Sequence, residues 1–358
     1  MKYLKKHVSI IIVTYNSKEY IESCINSITG QVYPENYIIE IIIVDNLSTD
    51  GTYDFIKEKF PSLKIIRNKG NNGYGDGNNL GAKNANGEYL IILNPDTIVK
   101  KRWLEELIEP LNENKNLITT PKILVYDGSA INGCGLTVHF TGLGFTRGFK
   151  SNIKEYPRSE YVNGIFGCCF AIKKKDFLKL GGFDKNIFMY CEDVDLSLMA
   201  HLHNLKIKYI PSAIVKHDYT LKVPAEKIYH LEKGRYIILK KYMTSKDLLL
   251  LSPSLIIVEA LTFGYSIKFG FKGLKYKFKA IKDGLSANVT KMNSNSLNRD
   301  NFFRSLDIQI PLNQLTYSKL DEIFKVVANE IFEVNWKLIT NGKLSNSNQL
   351  KVKKIHSK

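Results

Sequence analysis

The sequence predicts an α/β protein: a mostly parallel sheet flanked by helices, followed by a helical C-terminal extension. Three observations carry that expectation. First, residues 8–13, 38–44 and 89–93 are near-continuous runs of Ile, Val and Leu. Strands with no polar alternation are buried on both faces, which is the signature of a parallel sheet covered by helices. Second, segments of helical spacing separate these runs, and strand–helix alternation builds βαβ units. Third, each run is followed at once by polar or turn-forming residues. In such sheets the ligand crevice lies beyond the strand C-termini.

Taken in order, residues 8–13 read as the first strand. The basic start MKYLKK resembles a signal peptide, but the apolar run is too short for one and no small-residue cleavage site follows. Tyr20, Ile21, Cys24, Ile25 and Ile28 share one helical face, stopped by Gly30. Strands follow at 38–44, 63–66 and 89–93, with helices at 52–60 and 78–85 between them. Residues 120–211 are more mixed, with a Gly-rich stretch, a helix starting near Glu192, and a strand at 207–215. Residues 240–284 are helical in texture and basic, 286–300 read as an Asn/Ser-rich linker, 318–338 as a last helix, and the final twenty residues as disordered. The expected divisions are 1–245 (nucleotide half 1–119, acceptor half 120–245), 246–285 and 286–358.

Composition narrows the function. The chain has 358 residues with 44% hydrophobic and 24% charged, so it can bury a core, and disorder, collagen and disulfide scaffolds are excluded. Its net charge of +16 favours an anionic partner: nucleic acid, an anionic membrane surface or a phosphorylated substrate. Five cysteines with no Cys-x-x-Cys fit a reducing compartment and argue against a zinc site.

Four strand-end or helix-start groups carry chemistry. Asp45 closes a buried run and can accept a hydrogen bond from a base or ribose, while Ser48 or Asp50 suits the N-cap of the next helix. The loop Asn71-Asn72-Gly73-Tyr74-Gly75-Asp76-Gly77 fails the dinucleotide fingerprint, because Leu80 stands at the third glycine position. It reads better as a floor under a diphosphate or sugar. Asp96, after Asn94-Pro95, projects a carboxylate suited to Mg²⁺ or Mn²⁺. Glu192, Asp193 and Asp195 open a helix between apolar flanks, where burial raises a carboxyl pKa towards that of a useful base. His217 follows a strand; it, His201, His203 and His230 read as ordinary structural histidines on their own.

In this order and spacing, VSIIIVTYNSKEYIESCINSI, IIIVDNLSTDGT, NNGYGDGNNLG, LIILNPDT, GGFDKNIFMYCEDVDLSL and YIPSAIVKH resemble family 2 glycosyltransferases, closest to the rhamnosyltransferase-like branch, over roughly 7–245. The resemblance implies a GT-A fold and inverting sugar transfer from a nucleoside-diphosphate sugar to a hydroxyl. It implies that Thr14, Tyr15, Asn16 and Asp45 hold the nucleoside, that Asn72, Gly73, Asn79 and Asn94 line the donor site, that Asp96 and His217 belong to the metal or diphosphate site, and that Asp193, with Glu192 beside it, is the base. Three positions depart from the family pattern: Asn94 replaces the first Asp of the metal motif, and Met199 and His201 fall where arginines are common.

The extension suggests where the enzyme works. Residues 248–270 approach the length of a bilayer span but contain Pro253 and Glu259. Ile267, Phe271, Leu274, Phe278 and Ile281 form one stripe, with Lys268, Lys272, Lys275, Lys279 and Lys282 one residue behind. That pattern suits an interfacial helix on an anionic membrane, or a helix packed on the protein with a solvated basic edge. With the family's use of lipid-linked acceptors, the expectation is a cytoplasmic enzyme, peripheral at the inner face of the cell membrane, acting on a polyprenyl-phosphate-linked glycan. The rival readings are a nucleotidyltransferase or NAD enzyme on a similar sheet and a nucleic-acid-binding module. The failed glycine spacing opposes the former. Against the latter, the aromatic residues of the Lys-rich stretch fall on an apolar stripe, so no nucleic-acid partner is expected.

Overall fold

The computed structural model describes residues 5–218, 225–292, 299–314 and 318–340. The first half follows the expected alternation: β1 (Lys6–Thr14), α1 (Lys18–Thr29), β2 (Tyr37–Asp45), α2 (Thr52–Lys59), β3 (Lys64–Arg67), α3 (Tyr74–Asn84) and β4 (Tyr89–Leu93). After β5 (Thr97–Val99) and α4 (Trp103–Glu113) come β6 (Leu117–Val125) and four short strands: β7 (Ile131–Gly133), β8 (Leu136–Val138), β9 (Gly144–Thr146) and β10 (Glu160–Val162). The chain then runs through β11 (Cys169–Lys173), α5 (Lys174–Lys179), α6 (Glu192–Leu202) and β12 (Lys206–His217). The extension comprises α7 (Ala225–Tyr242), α8 (Ser245–Ile267), α9 (Gly270–Ser286), α10 (Arg299–Arg304) and α11 (Lys319–Ile339). Residues 293–298 of the linker and 341–358 of the expected disordered tail lie outside the described residues.

The main sheet runs β10-β12-β6-β11-β4-β1-β2-β3. β3, β2, β1 and β4 are parallel, and β11 enters antiparallel between β4 and β6. Strand order reverses between β1 and β4, the point where an open α/β sheet leaves a crevice. Register assembles the crevice: Thr14 lies beside Asp45, and His217 beside Thr97, next to Asp96. Ile10, Ile12, Ile43 and Ile91 fill one face of the sheet, and Ile11, Val44, Leu90 and Ile92 the other. α3 starts four residues earlier than its periodicity suggests, so Tyr74 to Gly77 form its first turn.

The extension is tied to the catalytic body. Leu251, Val258, Phe332 and Trp336 share a core with Phe170 and Leu196. α8 is long and apolar enough to cross a membrane by length and composition. Its Pro253 cannot bond Leu249 O, and the Ser252 hydroxyl donates to that carbonyl instead at 2.7 Å. Glu259 is held by Arg235 and Lys277, which also bond Glu232, in a buried four-charge cluster joining α7, α8 and α9. The single stripe expected over 267–281 is broken: Ile267 ends α8, and Gly270, at φ 62°, starts α9. Ile267, Phe271 and Phe278 are nonetheless exposed.

Candidate active site

The donor side is built at the ends of β1 and β2. Asp45 is fully buried, and its carboxylate accepts from Ser48 N at 3.0 Å, Ser48 Oγ at 2.5 Å and Thr14 Oγ1 at 3.1 Å. Asn16, at φ 51°, donates from its backbone to Ser48 Oγ and accepts Thr49 N on Oδ1. These bonds fix the rim on which Tyr15 stands half exposed. Gly51 precedes α2 in place of the expected Ser48 or Asp50, though Asp50 still accepts Thr52 N at 3.0 Å.

The loop before α3 is clamped between the two halves. Asn46 Nδ2 donates to Gly73 O at 3.0 Å, Tyr74 N to Phe188 O at 3.0 Å, and Tyr74 Oη to Gly167 O at 2.7 Å. Gly73 has φ 96°, and a Cβ there would stand 2.1 Å from Phe188 O, so only glycine fits. Asn72 is exposed and donates to Asp76. Both ends of the Asn79 amide bond the backbone of Phe183.

The possible metal position lies at the end of β4. Asp96 Oδ1 is 3.3 Å from His217 Nε2, and Asn94 Nδ2 is 3.4 Å from the same nitrogen. His217 Nδ1 meets Asn132 Oδ1 at 2.9 Å, which orients the ring. Asn94 Oδ1 and Asp96 Oδ1 are buried and accept no hydrogen bond among the described residues. The Asn94 and Asp96 oxygens beside the His217 imidazole fit a divalent cation. No set of three His, Cys, Asp or Glu surrounds it among the described residues, so a diphosphate and water would complete the shell, as Mg²⁺ sites commonly require.

The carboxylates Glu192 and Asp193 stand at the start of α6. Tyr190 and Cys191 have φ of 61° and 66°, a left-handed pair that turns the chain sharply into the helix. Such residues cost about 1–3 kcal/mol each and persist where the surroundings enforce them. Here Gly234 permits it: a Cβ at 234 would press on Cys191 Cβ at 2.7 Å. Asp193 accepts Gly167 N at 3.0 Å and Val194 N at 2.8 Å. Glu192 is buried, and its Oε2 has no hydrogen-bond partner among the described residues. Burial pushes both carboxyls well above the ordinary range, and the Asp193 charge raises Glu192 further. Asp195 faces the other way, bonded to Lys241 Nζ at 2.9 Å and Tyr242 Oη at 2.7 Å. Lys241 also bonds Asp184 at 3.0 Å, closing the 184–195 loop. That clamp from α7 had no sequence signal, because Lys241 stands 46 residues from Asp195.

The two sides meet at residues 167–168. Gly167 N holds Asp193, and Cys168 O accepts Asn94 N at 2.9 Å. Of the residues singled out from sequence, Thr14 is bonded to Asp45, Asn94 and Asp96 lie against His217, and Glu192 and Asp193 share one turn. A raised carboxylate pair and an Asp–His pair are thus tied to neighbouring residues near the strand-order switch of a largely parallel sheet.

Residues 9–180, just under half of the chain, match the family described as Glycosyl transferase family 2, and rhamnosyltransferases are among the proteins the chain is similar to. It is 28% identical over 209 residues to the "Low-salt glycan biosynthesis hexosyltransferase Agl10" of Haloferax volcanii, covering 56% of this chain and 63% of that protein. It is 29% identical over 215 residues to a poly-beta-1,6-N-acetyl-D-glucosamine synthase of Staphylococcus epidermidis, covering 58% of this chain and 48% of that one. The chain therefore spans less than two thirds of either relative. It is also 26% identical over 258 residues to the N-acetylglucosaminyl-diphospho-decaprenol L-rhamnosyltransferase of Mycobacterium tuberculosis, covering 64% and 83%. Among solved structures, S. aureus TarS 1-349 aligns over 95% of this chain and 93% of its own at TM-score 0.52 and 18% identity. GalNAc-T7 with UDP, GalNAc and Mn2+ aligns over 73% and 52% at TM-score 0.58 and 19% identity. At these identities the structures speak for the fold alone.

Proposed function

We propose that the chain transfers a sugar, with inversion, from a nucleoside-diphosphate sugar to a hydroxyl of a polyprenyl-phosphate-linked glycan, from the cytoplasmic side of the cell membrane. The observation that carries it is that adjacent residues join the two groups: Gly167 N bonds Asp193, and Cys168 O accepts the amide of Asn94, beside the Asp96–His217 pair. Asp193 takes the acceptor hydroxyl proton as that oxygen attacks the anomeric carbon. The bond from that carbon to the diphosphate breaks on the opposite face, and the nucleoside diphosphate leaves with the electron pair. Tyr15 and Asn16 hold the nucleoside on a rim that the enclosed Thr14 and Asp45 fix from beneath, and Asn72, Gly73, Asn79 and Asn94 border the donor, Asn79 by anchoring the 182–183 turn. Asp96 and His217 would hold Mg²⁺ or Mn²⁺, which neutralises charge on a departing diphosphate. A positioned base contributes ~10²–10⁴-fold.

A lipid-linked acceptor is supported by the diphospho-decaprenol substrate in the name of the mycobacterial relative and by the exposed Ile267, Phe271 and Phe278 beside the lysines of α9. Each lysine near an anionic surface adds about 1 kcal/mol. The test is nucleoside-diphosphate release from a panel of nucleotide sugars, with and without chelator, given polyprenyl-diphosphate-linked acceptors. Release that depends on acceptor and on Mn²⁺ or Mg²⁺, with an inverted linkage by NMR, is the expected result. A retained linkage, or acceptor-independent release alone, overturns the reading. Sedimentation with anionic liposomes tests docking: protein left in the supernatant at low salt removes the membrane from the proposal.

A further inference from the structure

The loop 180–191, between α5 and α6, touches both the loop before α3 and the start of α6, and α7 holds it from outside. Its inner side meets α3: Phe188 O accepts Tyr74 N at 3.0 Å, and the Asn79 amide bonds the Phe183 carbonyl and N–H at 2.8 and 2.9 Å. Its end turns through Tyr190 and Cys191 directly into Glu192 and Asp193. On the outer side, His230 of α7 stacks on Phe188 at 5.3 Å. The Cys191 thiol donates to Leu231 O at 3.6 Å, and Gly234 leaves room for Cys191 Cβ.

The charged part of that hold is Lys241. It is buried, and its Nζ lies 3.0 Å from Asp184 Oδ2 in the loop and 2.9 Å from Asp195 Oδ2 in the first turn of α6. Asp195 is enclosed, and its other oxygen accepts the Tyr242 hydroxyl at 2.7 Å. Asp184 Oδ1 accepts Asn186 N at 2.9 Å and so fixes the turn that follows it. Burial opposes the charge on Lys241, but the two carboxylates hold its pKa above the ordinary value, so one ammonium serves two acids. Stability alone does not call for this arrangement, because apolar residues of similar volume often replace a buried ion pair without loss. What the pair adds is geometry: it ties residues 184 and 195 to a single atom.

We infer that Lys241 is a positioning residue for both substrates, acting through Asp184 on the loop that seats the donor floor and through Asp195 on the turn that presents Asp193. The first path runs from Asp184 to its neighbour Phe183, which Asn79 of α3 holds, and along the loop to Phe188, which holds Tyr74. The second runs back one helical turn, where Asp195 N donates to Cys191 O at 2.9 Å, beside Glu192 and Asp193. Charge-assisted hydrogen bonds fix direction as well as distance, and a shift of about 1 Å in a reacting group costs ~10²-fold in rate. α7 lies outside residues 9–180, so the family match assigns it nothing. The inference rests on the transferase reading, because it takes the 71–77 loop to meet the donor and Asp193 the acceptor.

The experiment is steady-state kinetics on the full chain, with the nucleotide sugar and acceptor that the release panel selects, alongside thermal unfolding and hydrogen exchange. Asp184→Asn should raise the donor KM threefold or more with kcat within twofold. Asp195→Asn should lower kcat tenfold or more with the donor KM within twofold. Both changes keep the side-chain shape and an oxygen for Lys241, so both variants should fold. Lys241→Met should show both effects and a lower Tm. Adding the two Asn changes to Lys241→Met removes the stranded charges, so Tm should recover while kcat and KM stay impaired. Kinetic constants that recover with Tm, or that change in the same proportion in both Asn variants, overturn the positioning role and leave a structural ion pair. If no nucleotide sugar is turned over, the transferase reading has failed, and hydrogen exchange still decides on the clamp. Lys241→Met should then speed exchange in residues 71–77 as well as in 184–195; a rise confined to 184–195 overturns the inference.

Discussion

The strand ends of the parallel half and the N-terminus of α6 both bury carboxylates, with opposite outcomes. Asp45 is fully enclosed, yet two hydroxyls and an amide meet its oxygens. Glu192 is also enclosed, but one of its oxygens meets nothing among the described residues, and its neighbour Asp193 adds a like charge. Burial of an oxygen with no hydrogen bond favours the proton, which raises Glu192. The first arrangement makes a rigid wall; the second makes a group poised to exchange protons. Asp195, two residues from Asp193, is bonded to Lys241 and Tyr242, yet burial still holds its carboxyl above the ordinary range.

The largest expected effect is at the reactive end. Asp193→Asn should lower turnover by ~10²–10⁴-fold while leaving nucleoside-diphosphate affinity nearly unchanged. A variant with near wild-type turnover would move the base to Glu192. The wild-type rate should also carry an acidic limb: the base works ionised, its pKa is raised, so activity falls as pH drops through a value above the ordinary carboxylate range. A limb near the ordinary Asp value would show that burial does not govern this group.

Next comes the charge cluster of the extension. Lys277→Met leaves Glu232 and Glu259 to share Arg235, and breaking a buried pair costs about 3–5 kcal/mol. Thermal unfolding should report it as a clear loss in Tm, whereas an unchanged Tm would mean that the cluster contributes specificity without stability.

Asp45→Asn tests the satisfied carboxylate. It removes charge from bonds to Thr14 and Ser48, and hydrogen bonds to a charged group are worth about 1.5–3 kcal/mol. Stability and nucleoside binding should fall together; a loss of binding at constant stability would assign Asp45 to the ligand alone. The smallest effect is expected for Tyr74→Phe, which deletes one bond to Gly167 O, about 0.5–1.5 kcal/mol. Its value is diagnostic, because Gly167 N also holds Asp193: a change in the pH limb out of proportion to stability would show that the clamp tunes the base.

Much of this was legible in the chain because the signals are local. β-branched runs at 8–13 and 38–44 form strands on their own composition, and their parallel register follows, bringing Thr14 and Asp45 together. Asp96 and His217 lie 121 residues apart, and the family motifs alone linked them before β5 and β12 set them 3.3 Å apart. Lysine periodicity in α9 was less reliable. It ranked Lys268 and Lys272 with the rest, but these pair with Asp321 and Glu226, while Lys277, outside the row, is fully buried. Nor did it show the helix break at 268–270.

By itself, then, the sequence determined the sheet, its crevice and the class of enzyme, because apolar periodicity and strand-end polarity depend on near neighbours. Tertiary structure alone decided which groups meet each buried carboxylate. Lys241 reaches Asp195, Arg235 and Lys277 reach Glu259, and His230 joins Tyr190 to Tyr229, all across elements brought together only by folding. The free energy of a buried charge depends on which groups lie within a few ångströms, and spacing along the chain does not encode that distance.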